Sequence, residues 1–496
     1  MSQSFNVLKQ PKPFYLIFFI ELWERFGYYG LQALLAVYFV RKLGMSDIDS
    51  FITFGAFSAL VYGLISVGGT IGDKVLGSKR TIVFGAIVLG IGYLLMASAG
   101  ENRMMVYLGL GTIAVGNGLF KANPSSLLAK CYKEDDPRLD GAFTMYYMSI
   151  NIGSLISMTA TPYIADAYGW GMGFMTSVLG MALALLNYMI TRHWIVDVGS
   201  EPDFKPVKFM TYVIAVVGTI AACFICGWIL DHLTIAHILL AAVGTWVVTV
   251  FLKEIVTAHG NERGKMIVAF ILMLQAIVFF VLYMQMPTSL NFFAINNVNP
   301  YILGIHINPL VFQSLNPFWI MVASPILAYI YNRSGSAGKD LSIPTKFALG
   351  MLCCAASFLV LPVGAKFANS QGIVSSNWIV LSYFLQSVGE LLISALGLSM
   401  VAQLVPKRMH GFIMGAWLMT SSAASVLAGY IAGFTAVSES DKAAGPLHTL
   451  PVYSNVFQVI GLVTLGIALL MLITAPMLNR MMGIKDEHKK VQLSGV

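Results

Sequence analysis

Residues 14–40 read FYLIFFIELWERFGYYGLQALLAVYFV. The stretch exceeds the roughly 20 residues that a helix needs to cross a bilayer, yet it carries Glu21, Glu24 and Arg25 near its middle. An ionisable side chain at a helix centre costs about 2.5 to 3.5 kcal/mol on insertion scales, so it faces protein or a polar cavity rather than lipid. A single anchoring helix has nowhere to turn such a face. The stretch therefore predicts other spans packed around it.

The rest of the chain supplies them. Of 496 residues 57% are hydrophobic and 11% charged, against about 25% charged in soluble domains. Apolar runs at 14–40, 51–71, 81–99, 104–129, 142–165 and 171–190 form a first set of six; 209–230 and 233–252 follow, and 266–290, 310–331, 347–367, 378–405, 411–434 and 452–478 form a second six. The expected fold is all-α and polytopic, with 14 transmembrane helices, because a spanning segment must satisfy its own backbone hydrogen bonds and these runs are too long for barrel strands. The expected divisions are an N-terminal six-helix bundle over 1–195, a linker and two-helix insertion over 196–262, and a C-terminal six-helix bundle with a cytoplasmic tail over 263–496. Residues 1–13 are polar and lack the short apolar core and small-residue cleavage site of a signal peptide. No soluble catalytic domain has room, and no metal or cofactor motif stands out, so a transporter is expected rather than an enzyme.

With the N-terminus inside, Arg41, Lys42, Arg103, Lys366 and Lys442 fall outside, and Arg25 and Lys121 lie within spans. The remainder of the 30 Lys and Arg residues, including Lys9, Lys339, Lys485, Lys489 and Lys490, fall on the cytoplasmic side. This positive-inside bias predicts both termini in the cytoplasm. The net charge of +7 is thus spread over cytoplasmic turns. It points to anionic lipid headgroups rather than nucleic acid. Cys223 and Cys226 form a Cys-x-x-Cys inside an apolar run with no second pair, which reads as buried thiols rather than a redox or metal motif.

On the first span Glu21, Glu24, Arg25, Tyr28 and Gln32 share one helical stripe. A structural pair of Glu21 with Arg25 at i, i+4 is the plainer alternative to a functional role, but three charges cannot balance to zero, so the second carboxylate needs another cation or a proton. The fourth span carries Asn117, Lys121 and Pro124 on one face; the twelfth carries Gln386, Glu390 and Ser394 at intervals of four. Each six-helix set thus offers buried charge, and a zwitterionic solute presenting its carboxylate to Arg25 and Lys121 and its ammonium to Glu390 suits such a site. Tyr147, Asn151 and Ser154 lie on one face of the fifth span, and Asn316 precedes Pro317; these either contact solute or satisfy helix contacts. In the glycine-rich loop at 68–80, Asp73 is placed to engage helix ends or nearby cations.

The stretch Glu21-Leu22-Trp23-Glu24-Arg25-Phe26-Gly27-Tyr28-Tyr29-Gly30 resembles the E-x-x-E-R-F-x-Y-Y motif of the proton-dependent oligopeptide transporter family. Residues 68–80 resemble the loop motif of the wider major facilitator superfamily, and residues 143–154 resemble the family's fifth-helix signature ending in I-N-x-G-S. The resemblance covers nearly the whole chain, including the extra helical pair of bacterial members, and is nearest to bacterial dipeptide and tripeptide permeases. It implies the major facilitator fold, two six-helix bundles plus a two-helix hairpin, and proton-coupled symport of dipeptides and tripeptides into the cell by alternating access, across the inner membrane. It further implies proton coupling through Glu21, Glu24 and Arg25, with Arg25 and Lys121 near the peptide C-terminus. Glu390, Asn151 and Asn316 would contact the N-terminus, Tyr28, Tyr29 and Tyr62 would line the cavity, and Trp417 would shape a side-chain pocket.

Two positions depart from the common pattern. Gln32 stands where many members have Arg, and Met284 where many have an acid, so the first-span carboxylates become the leading candidates for carrying a shared proton. Expected partners are peptides, protons and membrane lipids, with a single chain as the working unit. A carrier of the same fold for nitrate or an amphipathic drug is the alternative, since fold alone does not fix the solute.

Overall fold

The computed structural model describes residues 10–133, 136, 138–336, 341–394 and 404–482. Lys9, Lys339, Lys485, Lys489 and Lys490, residues 395–403 of the twelfth expected span and the expected tail lie outside the described residues.

The chain divides into two compact units, Met1–His237 and Ile238–Val496. The first holds α1 (Lys12–Arg41), α2 (Asp47–Gly63), α3 (Ile65–Lys74), α4 (Ser78–Ser98), α5 (Arg103–Lys130), α6 (Leu139–Tyr168), α7 (Trp170–Thr191) and α8 (Phe209–Asp231). α9 (Leu233–Thr257) begins in the first unit and runs into the second. There follow α10 (Gly260–Tyr283), α11 (Asn291–Asn297), a β hairpin of Tyr301–Ile302 with Ile305–His306, α12 (Leu315–Ser336), α13 (Ile343–Ala365), α14 (Ser376–Ile393), α15 (His410–Gly433), α16 (Glu439–Ala444) and α17 (Pro446–Met481).

Among the described residues, 11 helical segments are long and apolar enough to cross a membrane. Three further expected spans fold as the helices α1, α6 and α14 without meeting that measure. The fold is all-helical apart from the small hairpin, as expected for a chain whose backbone must be satisfied inside lipid.

Local chemistry explains where the helices start and bend. Ser46 caps α2 by accepting from the Asp49 N–H at 3.1 Å, and Asn102 caps α5 by accepting from the Met105 N–H at 3.2 Å; such oxygens satisfy donors that the first turn leaves free. The expected span at 51–71 is two helices, α2 and α3, joined at Leu64. The expected span at 266–290 also breaks: α10 ends at Tyr283, a π turn occupies Met286–Leu290, and α11 carries the path to Asn297. Pro287 sits inside that turn and has no N–H to give. Gln285 braces the break with its side chain, donating to the Val281 and Ala428 carbonyls at 3.1 and 3.2 Å and accepting from Ser289 at 2.6 Å.

In the first unit α1 lies along α6 and α7, and α5 packs between α4 and α8. In the second unit α13 packs on α14 and α17, α10 on α15, and α12 on α14. Cys223 and Cys226 are free and buried on α8, in a cluster with Val88, Val115 and Leu119. They pack as small apolar side chains do.

Candidate functional site

Two of the carboxylates that the sequence singles out on α1, Glu21 and Glu24, are fully buried, and Arg25 is only 6% exposed. Arg25 grips its sequence neighbour Glu24 in a two-pronged contact, Nε to Oε2 at 2.5 Å and Nη2 to Oε1 at 2.6 Å. Its Nε is 3.7 Å from Glu21 Oε1, an ion pair without a hydrogen bond. The ammonium of Lys121, from α5, donates to that same Glu21 oxygen at 2.5 Å.

The i, i+4 ion pair of Glu21 with Arg25 is thus present, but it is the looser contact of both residues. Glu21 takes its hydrogen bond from Lys121 rather than from Arg25, and the second carboxylate finds its cation in Arg25. Adjacent positions on a helix diverge by 100°, but the long, forked guanidinium bends back across that angle. Two carboxylates face two cations, so with all four groups charged the set balances to zero. Burial of Glu21, Glu24 and Arg25 is tolerable only because each is matched; removing one partner from a buried pair costs about 3 to 5 kcal/mol.

The aromatic residues of the motif close over the cation. The Arg25 guanidinium carbon lies 5.0 Å from the Tyr28 ring centre and 5.9 Å from that of Tyr29, within the range of cation–π attraction. Tyr62, near the end of α2, lies within interaction range of Tyr28. Lys121 is the accessible member of the set, its side chain 24% exposed while that of Glu21 is 0% exposed.

Three side chains outside the expected site residues also reach the cluster. Asn117, one turn before Lys121, points its amide at Glu24 Oε1 from 3.5 Å. The Tyr146 side chain, from α6, lies within interaction range of Glu21. Tyr93 on α4 lies within electrostatic range of Glu24, and its hydroxyl, like Glu21 Oε2, is buried with no hydrogen-bond partner among the described residues. Glycine explains how Tyr146 arrives. A Cβ on Gly153 would lie 2.3 Å from the Leu22 carbonyl oxygen, so only glycine lets α6 rest on the α1 backbone there. Tyr146, two turns earlier on the same face, is thereby brought to Glu21. The sequence marked the neighbouring face of Tyr147, Asn151 and Ser154; there the Asn151 amide donates to the Tyr147 carbonyl at 2.9 Å and the Ser154 hydroxyl to the Ile150 carbonyl at 2.8 Å.

In the second unit Glu390 is 9% exposed on α14. The Asn316 amide, from α12, donates to Glu390 Oε2 at 2.8 Å and to the Ser387 hydroxyl at 3.1 Å. Asn316 and Glu390, from separate spans, are thus joined as one group. Gln386 instead donates to the Leu282 carbonyl at 2.9 Å, tying α14 to α10. Ser394 lies at the end of α14. Trp417 on α15 packs edge-on to Phe280, with ring centres 6.0 Å apart. Met284 is buried immediately before the Gln285 brace, and Gln32 is buried on α1.

A multi-pass helical membrane protein with a neutralised cluster of charges inside one unit and a held carboxylate inside the other has the construction of a membrane transport protein. Comparison with known proteins makes the class specific. The family model described as the POT family matches residues 79–454. Dipeptide and tripeptide permease A of Serratia proteamaculans is 57% identical over 497 residues, covering 100% of this chain and 97% of its own, and that of Escherichia coli is 56% identical over 480 residues, covering 97% and 95%. Among solved structures, tetrameric PepTSo2 matches with a TM-score of 0.85 at 37% identity, covering 95% of this chain and 99% of its own. A bacterial homologue of the human drug peptide transporters PepT1 and PepT2 matches with a TM-score of 0.85 at 36% identity, covering 95% and 100%. The chain belongs to the POT family.

Proposed function

We propose that this chain carries dipeptides and tripeptides into the cell together with protons, by alternating access. The observation that carries the reading is the neutral set of Glu21 with Lys121 and Glu24 with Arg25. A peptide carboxylate that takes Lys121 adds one negative charge to a buried, balanced group. Displaced from its cation, Glu21 is left as an uncompensated buried charge, and one proton restores neutrality. Peptide and proton then enter as a pair because either alone leaves net charge in a low-dielectric site. The peptide ammonium goes to Glu390, held by Asn316, with Asn151 and Ser394 assisting; Tyr28, Tyr29, Tyr62 and Trp417 supply the cavity walls.

The architecture in this reading is 14 spans in two six-helix bundles with an inserted hairpin, divided at 1–195, 196–262 and 263–496. The protein resides in the inner membrane with both termini in the cytoplasm, in keeping with the placement of Lys and Arg. A single chain is the working unit in this reading. A non-peptide solute is disfavoured by relatives 56 to 58% identical that are named dipeptide and tripeptide permeases.

The test is uptake of a labelled dipeptide into proteoliposomes under an inward proton gradient. Accumulation that collapses with an uncoupler is expected. Uptake indifferent to the gradient rejects coupling, and failure of any small peptide to enter rejects the substrate class.

A further inference from the structure

Segment 197–208, expected as a plain polar linker, is bound into the first unit. Ser200 accepts from the Ser78 N–H at 2.8 Å and donates to the Gly72 carbonyl at 2.9 Å. Asp203 accepts from the Lys79 N–H at 3.2 Å, so the start of α4 is capped from 124 residues away rather than by its own N-cap, Gly77. Arg80 donates to the Pro202 carbonyl at 2.7 Å and to the Lys205 carbonyl at 3.2 Å. Gly77 is required here: its φ is +96° and a Cβ would meet the Asp203 carboxylate at 2.2 Å.

This fixed segment, the end of α3 and the first turn of α8 line an open cavity of about 420 Å³. Asp73, Glu201, Lys74, Lys205 and Lys208 all line it. The two acids are already matched. Asp73 pairs with Lys130 at 3.2 Å, and the Lys205 hydrogen bond holds Glu201 below the ordinary carboxylate range. Lys74 and Lys208 have no carboxylate within ion-pair distance among the described residues. Among the described residues the cavity therefore presents two cations with no acid matched to them. Immediately beside Lys208, α8 begins with Phe209 at 81% and Met210 at 63% exposure, and its outer face continues through Ile214 and Val217. In a bilayer that face is covered by acyl chains.

We propose that this cavity binds the phosphate of an anionic phospholipid, held between Lys74 and Lys208, with the acyl chains along the exposed face of α8. Charge complementarity selects an anion, since lysines near the surface attract acidic lipids. The adjoining apolar face selects one carrying hydrocarbon rather than free phosphate. A bound lipid would bridge α3 to the 201–208 segment and so reinforce the contact that caps α4.

The experiment is native mass spectrometry of the purified full chain titrated with phosphatidylglycerol, phosphatidylcholine or inorganic phosphate. Phosphatidylglycerol is expected to bind in preference to phosphatidylcholine and to resist competition by millimolar phosphate. The double variant Lys74→Gln with Lys208→Gln should bind it roughly 30-fold more weakly, as the loss of two surface lysines implies. Lys253→Gln with Lys407→Gln, which removes the same charge elsewhere, should bind like wild type. Glu201→Gln, which releases Lys205, should bind more tightly, a gain that a damaged fold does not produce. Unchanged binding in the first double variant, equal loss in the second, no gain in Glu201→Gln, or phosphate binding as tightly as the lipid would each overturn the proposal.

Discussion

Lys121 Nζ and Glu21 Oε1 meet at 2.5 Å although the residues lie 100 positions apart in the chain. The contact joins α5 to α1 and completes the charge balance that Arg25 and Glu24 begin. The lysine is also the cation of the set that is open to approach. In the proposed reading a solute carboxylate competes with an internal one for this ammonium.

From this follows the behaviour of Lys121→Ala. Hydrogen bonds to charged groups contribute about 1.5 to 3 kcal/mol, so affinity for peptides with a free C-terminus should fall by roughly 10- to 100-fold. C-terminally amidated analogues, which never exploited the ammonium, should lose less. Competition by each analogue against labelled dipeptide uptake makes the comparison; equal losses would assign Lys121 a packing role only.

The opposite pole is tested by Glu390→Gln, which removes the charge and nearly preserves the shape. Peptides with a free ammonium should weaken by about 10-fold or more, and N-acetylated peptides proportionately less. Asn316→Ala should share the direction with smaller size, because it leaves the charge but removes the amide that holds it. An identical loss for free and acetylated peptides would make Glu390 structural.

Gly153 carries a prediction about stability. Alanine there forces its methyl into the Leu22 carbonyl, and overpacking of this kind costs about 1 to 3 kcal/mol. The thermal midpoint of the purified protein should drop by several degrees in Gly153→Ala. Gly415→Ala, where an added methyl meets nothing within 4 Å, should leave it unchanged. Similar midpoints for both variants would show that α6 can move off α1 without penalty.

The apolar runs and the intramembrane charges were legible from the sequence because both signals are local: run length reports bilayer thickness, and a charge in such a run is costly wherever its partner lies. Pairing was not legible. Helical periodicity put Glu21 opposite Arg25, but Lys121 arrives from another helix and takes the hydrogen bond. Tyr146 escaped notice for a related reason, since the contact face of α6 is set by how closely Gly153 meets α1 and not by the polarity of α6 itself. Segment 197–208 read as a linker because its Ser200 and Asp203 find their partners at residues 72–79, far along the chain. The join at Leu64 lies inside a run whose hydropathy carries no mark of it, whereas the break after Tyr283 falls beside Gln285 and Pro287, which run length alone passes over.

Coupling supplies the last prediction. Glu21 and Glu24 are each matched at rest, so removing either charge by Glu21→Gln or Glu24→Gln leaves one cation in surplus. A peptide carboxylate can then satisfy that cation with no proton taken up, and the obligation to move the two together disappears. Gradient-driven accumulation should therefore be abolished in both variants, while exchange of external for internal peptide, which needs no net proton movement, should persist in at least one. The membrane potential adds about 2.3 kcal/mol per charge per 100 mV, so both modes are measured with the potential clamped as well as free. Strong proton-driven accumulation in both single variants would remove α1 as the coupling site and require another acid. Met284 offers none at the break in the α10 path, which leaves Glu390 as the next carboxylate to test, through the same pair of measurements on Glu390→Gln.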